Sequence, residues 1–105
     1  MSDVTISKHD VTAQLYDFSQ SAFETFQMAT IKASRDAYFA FNDSTGVTAV
    51  AKVRGETVRS AIQTGILKGV DIKDVDTLKP YVVAWLADEI QKHVKKISSA
   101  PEDPN

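Results

Sequence analysis

A chain of 105 residues, 43% apolar and 25% charged, has the size and composition of one globular domain with an ordinary core. The absence of cysteine excludes disulfides, thiolate nucleophiles and the common cysteine-based zinc sites, and is compatible with a reducing cytoplasm. A net charge of −2 and a pI near 5.6 argue against a phosphate backbone as the main partner, because such binding draws on a basic surplus.

Met1 to Asp10 holds acids, Lys8 and His9 but no apolar stretch, so no secretory leader is expected. The longest apolar run, Tyr81 to Ala87, falls far short of the ~20 residues that span a bilayer, and no membrane partner is expected. Cytoplasmic localisation follows as the expectation.

In chain order, Ser7 or Asp10 can cap a first helix. Val11, Leu15, Phe18, Ala22, Phe26, Ala29, Ala33, Ala37 and Ala40 then recur at steps of three and four, and neither Gly nor Pro interrupts Asp10 to Phe41. The turn formers Asn42-Asp43-Ser44-Thr45-Gly46 end the element. Such a helix would run about 48 Å against a domain diameter of roughly 33 Å. Its overhang, carrying Phe18, Phe23 and Phe26, would need cover, most simply from a second copy. The alternative is a kink between Thr25 and Thr30, giving two shorter helices in a monomer.

Val47 to Val53 fits either a strand, through alternation of Val47, Ala49, Ala51 and Val53, or a helix. Gly55 marks a bend, a boundary or a close backbone contact. Glu56 to Lys68 reads as a helix with Val58, Ala61, Ile62 and Leu67 inward and Gly69 as its left-handed cap. Val70 to Asp76 reads as an acidic linker in which Ile72 and Val75 pack down. The last helix is capped by Asp76 or Thr77, admits Pro80 in its first turn, and carries Val82, Leu86, Ile90, Val94 and Ile97 on one stripe with Trp85 beside it. Ser98 to Asn105 reads as a frayed tail.

The search for chemistry finds no catalytic, cofactor or metal site. His9 and His93 lie far apart, and neither has the acid or second histidine at i+3 or i+4 that a ligand pair needs. Ser19, Ser21, Ser34 and Ser60 lack a nucleophile-elbow context. Asp71, Asp74 and Asp76 resemble a calcium loop superficially, but no glycine holds the sixth position and the twelfth, Val82, is not a glutamate. Asp88 and Glu89 point to different sides of a helix, and the four glycines are scattered rather than gathered into a phosphate loop.

Two features carry a functional reading. The aromatic group Tyr16, Phe18, Phe23, Phe26, Tyr38, Phe39 and Phe41 can line a pocket or a partner groove, against the plainer reading as core. Glu56 to Ile97 reads helix, linker, helix, loosely like a helix-turn-helix, with Tyr81 to Glu89 in the recognition position. That helix offers Asp88 and Glu89 and no arginine, which disfavours groove reading and leaves Lys92, Lys95 and Lys96 as the basic residues of a nucleic-acid alternative.

In the C-terminal third, Gly65-Ile66-Leu67, Asp74-Val75-Asp76-Thr77-Leu78-Lys79-Pro80 and Val83-Ala84-Trp85-Leu86-Ala87-Asp88-Glu89-Ile90 resemble the ending of small phage tail-assembly proteins of the chaperone type. The matching positions are packing residues and a helix start. The resemblance implies a cytoplasmic, non-enzymatic protein that shields or organises hydrophobic partner segments during virion assembly, and it carries over no site residue.

The expected fold is therefore all-α: one domain over residues 1–105, three to four helices with a long first helix, and flexible ends at about 1–6 and 99–105. An α+β fold with a short strand at 47–53 is the alternative. The expected function is a non-enzymatic interaction or assembly protein without cofactor or metal, and on the resemblance a phage-encoded one. Its partner is a protein, with self-association foremost, and its surface is Phe18, Phe23, Phe26, Tyr38 and Trp85. The alternative function is a nucleic-acid-associated regulator using the C-terminal helices.

Overall fold

The computed structural model describes residues 3–40 and 46–99. Two short strands open the chain, β1 (Val4–Lys8) and β2 (Val11–Leu15), followed by α1 (Gln20–Ala40), α2 (Gly46–Gln63), β3 (Leu67–Lys68), a 3-10 helix (Ile72–Thr77) and α3 (Pro80–Ser98). The fold is α+β, not all-α. The expected helix from Asp10 is overturned over its first third, because residues 11–15 pair as a strand. The strand considered at 47–53 is also absent, since those residues belong to α2. Residues 4–6, expected to be loose, pair with residues 13–15. Residues 42–45 of the expected turn and the tail beyond Ser99 lie outside the described residues.

The physical reason for the first correction is an ambiguity of period. Val11 and Leu15, four apart, share a face in a helix and in a strand alike. Ala13 between them decides the matter: Ala13 and Leu15 are buried while Thr12 is exposed, the alternation of a half-buried strand. Ile6 stands opposite Ala13 on β1, so the three side chains build one apolar face. The turn between the strands is His9-Asp10, with φ of 56° and 63°, the left-handed pair that a tight two-residue hairpin requires. β2 is central, pairing antiparallel with β1 on one side and with β3 on the other through Gln14↔Lys68 and Leu15↔Leu67.

α1 begins where Ser19 supplies a cap. Its hydroxyl accepts the backbone N–H of Ala22 at 3.2 Å, satisfying one of the free donors of the first turn. The helix is 21 residues, which at 1.5 Å each is about 31 Å. The molecule measures 48 × 31 × 24 Å, so α1 does not outreach the body it belongs to. The overhanging rod expected from sequence is thereby removed, as is the argument that it leaves Phe18, Phe23 and Phe26 uncovered.

α2 is the hub: it packs against α1, α3, the 3-10 helix and β3. Val58 and Ala61 face the core with Thr57, whose hydroxyl donates to the carbonyl of Val53 at 2.8 Å and so enters the interior already paired. Gly55 lies inside this helix as a close contact, not a boundary. A Cβ there would come 3.2 Å from the Arg59 guanidinium.

The end of α2 is set by Gly65, not Gly69. With Gly65 at φ 80°, the N–H of Ile66 bonds to Ala61 O at 2.9 Å and that of Gly65 to Ile62 O at 3.2 Å, the paired closure of a Schellman cap. The chain then passes directly into β3. Its lead-in is tied to the sheet by the N–H of Tyr16 donating to Ile66 O at 2.9 Å.

The 3-10 helix buries Val75 and leaves Ile72 exposed, so only one of the two expected anchors holds. α3 starts from Lys79 with Pro80 in its first turn, and neither Asp76 nor Thr77 caps it. It buries Val82, Leu86, Ile90 and Val94 as expected, with Ala87 and His93 beside them. Its apolar members join Leu15, Phe26, Val58, Ile66 and Leu67 in the core between sheet and helices.

Candidate functional site

Both histidines make contacts that tie distant segments together. His93 is 5% exposed and its Nε2–H donates to the Tyr16 carbonyl at 2.8 Å, across 77 residues, so it fastens α3 to the segment that leaves β2. The Phe18 ring lies edge-on to it at 6.1 Å. His9 packs edge-on to Tyr81 at 4.8 Å and to Trp85 at 5.9 Å, so the strained hairpin tip rests on the first turns of α3.

Of the three aspartates that suggested a loop, Asp76 pairs with Arg59, which also holds Glu56 at 2.6 Å. Burial lowers the Arg59 pKa, but the hydrogen bonds that its guanidinium donates to Asp76 and Glu56 outweigh it and hold the group above its ordinary value. Asp10, Asp71 and Asp74 line an open cleft with Gly69 and Leu78. No cluster of three histidine or acidic side chains able to hold a metal ion exists among the described residues.

The five aromatic residues expected to form an interaction surface do not share one. Phe26 is fully buried, and Phe18 and Phe23, stacked at 6.0 Å, pack partly buried against the core. Trp85 is half-buried beside His9. Only Tyr38, 66% exposed, faces solvent.

Tyr38 does not stand alone. Met28 is 72% exposed, Ile31 61% and Phe39 71%, with the Phe39 ring edge-on to Tyr38 at 5.7 Å. On a helix of 100° per residue, Met28, Ile31, Arg35 and Tyr38 form one stripe, with Phe39 at its border. The packed face, Phe26, Thr30, Ala33 and Ala37, lies on the opposite side. α1 is thus apolar on two faces: a small-residue face that lets α2 approach, and a large-residue face without cover.

Tyr38 also forms one wall of an open groove of about 320 Å³ between α1 and α2, lined further by Ser34, Ala49, Val50, Val53 and Arg54. Val50 is 44% exposed there, so the apolar surface of α1 continues onto α2. Sequence reasoning missed Met28, Ile31 and Val50. The signal was present as a second run at steps of three, four and three, offset from the first.

The basic residues of the nucleic-acid alternative lie exposed at the end of α3. Lys92 is engaged by Asp88 at 3.1 Å, and that hydrogen bond, with the carboxylate's charge, raises its pKa. No family model, curated protein or solved structure matches the chain. No helix among the described residues is long and apolar enough to cross a membrane.

Proposed function

We propose that this chain is a non-enzymatic interaction protein that works in assembly, docking a hydrophobic helical segment of a protein partner on the outer face of α1. One observation carries the reading: Met28, Ile31, Tyr38 and Phe39 lie 61–72% exposed along one side of α1, with Tyr38 at the edge where the groove to α2 begins. Side chains of this kind each lose about 1.5–3 kcal/mol of favourable burial when left in water. Four on one helix face make a patch comparable to the largest on a typical monomer, and such patches are often functional.

The C-terminal resemblance to phage tail-assembly chaperones supplies a setting. In it the protein is phage-encoded, cytoplasmic, and shields an apolar segment of a virion component until assembly. A second copy of the chain is the first candidate among partners.

A fluorescein-labelled, uncharged amphipathic helix of Leu and Gln, titrated with the full chain and read by anisotropy, tests the docking. Binding that falls at least tenfold in the Tyr38→Ser/Phe39→Ser double variant, with thermal stability unchanged in dilute solution, is the expected result. Equal binding by the variant, or none at all by the parent chain, would remove the outer face of α1 as a docking surface.

A further inference from the structure

We infer that the occupant of this face is α1 of a second copy, lying antiparallel across a two-fold axis between Met28 and Ile31; this rests on the docking surface just proposed. Glu24, Met28, Ile31, Arg35 and Tyr38 are all exposed and follow one another at steps of four, three, four and three, the spacing of a coiled-coil seam. The seam holds one acid and one base, and their positions select the pairing. In a parallel pair Glu24 would meet Glu24 and Arg35 would meet Arg35, like charge against like. In an antiparallel pair centred between Met28 and Ile31, Met28 packs against Ile31 of the second copy. At the same layer spacing Glu24 of each chain then stands opposite Arg35 of the other. The pairing is isologous, so each ion pair forms twice and the assembly closes at two.

The size is adequate. Residues 20 to 39 of each copy overlap over about 30 Å. The four exposed apolar side chains offer roughly 500–600 Å² per chain, before flanking residues add to it, against about 800 Å² per partner in a standard interface. Neither member of the charge pair is committed to an ion pair among the described residues: Glu24 accepts a hydrogen bond from Gln20 at 3.0 Å, and Lys32, not Arg35, pairs with Asp36 at 3.1 Å. Lys32 and Asp36 lie to the side of the seam and need not move.

Sedimentation of the full chain and its charge variants decides the matter. The parent chain is expected to dimerise, and Glu24→Arg and Arg35→Glu each to dissociate at least about tenfold more readily, since each places two like-charge layers in the seam. Mixing the two variants restores opposite charges at both layers, so an equimolar mixture should dimerise as the parent does. A parent chain monomeric at all concentrations overturns the self-pairing while the peptide titration still judges the docking surface by itself. A dimer that is indifferent to the charge variants, or variants that fail to rescue each other, overturns the antiparallel register.

Discussion

Gly69 follows β3 at φ 97°, and a Cβ placed there would lie 3.1 Å from the Cα of Ala13 and 3.2 Å from the carbonyl of Thr12. Both neighbours are backbone of the central strand and cannot yield without opening the β2–β3 pair. Gly65 has a similar φ of 80°, but a Cβ there would meet nothing within 4 Å. The two positions therefore separate conformational strain from collision. Gly65→Ala is expected to cost only the left-handed penalty, about 1–2 kcal/mol. Gly69→Ala adds a steric clash and is expected to cost about 1–3 kcal/mol more by urea denaturation. Equal losses at the two sites would mean that β3 can shift away from β2 freely. His93 gives a different residue-scale test. Replacing it by Leu keeps the volume inward but leaves the Tyr16 carbonyl without its donor, an expected loss of about 1–3 kcal/mol. Gln, which can reach with an amide N–H, is expected to recover part of it. Arg59 bears on how stability depends on pH. Its pKa is raised in the folded state, so its contribution is complete below the unfolded pKa and fades only as pH climbs through the folded one. For a guanidinium that window lies beyond the alkaline end of any ordinary assay. The Arg59 charge itself therefore adds no pH dependence to stability near neutrality.

The β1–β2 hairpin shows how an element can be stable and still carry a local cost. His9 and Asp10 both occupy the left-handed region, where Gly and Asn are the usual residues. His9 is offset by its contacts with Tyr81 and Trp85. Asp10→Gly is accordingly expected to raise stability by about 0.5–1 kcal/mol, seen as a higher melting temperature. The gain is expected to vanish if the turn is not held as described. The same hairpin shows why sequence alone went astray. Its turn residues are not the Asn-Gly or Asp-Gly pair that announces a hairpin, and Val11 and Leu15 suit both periods. Ser19, the cap of α1, lies inside the apolar run that suggests a helix from Asp10, so its capping role is hidden in the sequence. α3 was legible because its apolar residues recur through Val82, Leu86, Ile90 and Val94, with Pro80 at its start, and no competing period exists. α2 was legible only in its second half: over 47–53 the alternation of Val47, Ala49, Ala51 and Val53 suits a strand as well as a helix, and β-branching weakens the helical reading without excluding it. The candidate site was half visible. Tyr38 was named for its ring, but Met28 and Ile31 were not, because a search for aromatic residues passes over an aliphatic stripe, and the stronger periodicity of Phe26, Ala33 and Ala37 concealed the second one behind it.

At the scale of the molecule, burial and exposure are distributed so that folding and association can be separated. Phe26 is fully enclosed on one side of α1, and truncating it to Ala is expected to cost about 3–5 kcal/mol whatever the protein concentration. Met28, Ile31, Tyr38 and Phe39 stand outside the core at 61–72% exposure, so their removal is expected to leave the isolated subunit nearly as stable as before. If that face is covered by a second copy, folding and dimerisation are linked by mass action, and the native state gains as concentration rises. A tenfold increase in a dimer that unfolds to separate chains corresponds to about 1.4 kcal/mol per dimer, enough to move the melting temperature by a few degrees for a domain of this size. Scans between about 5 and 500 μM are therefore expected to show the parent chain's melting temperature climbing with concentration, and that of an Ile31→Gln/Tyr38→Ser variant staying level. The curves are expected to converge at the dilute end, because there the face is bare in both proteins and only the core, which the substitutions do not touch, resists unfolding. A variant already destabilised at the dilute end would instead place these side chains in the subunit's own packing and leave the outer face of α1 without a separate role.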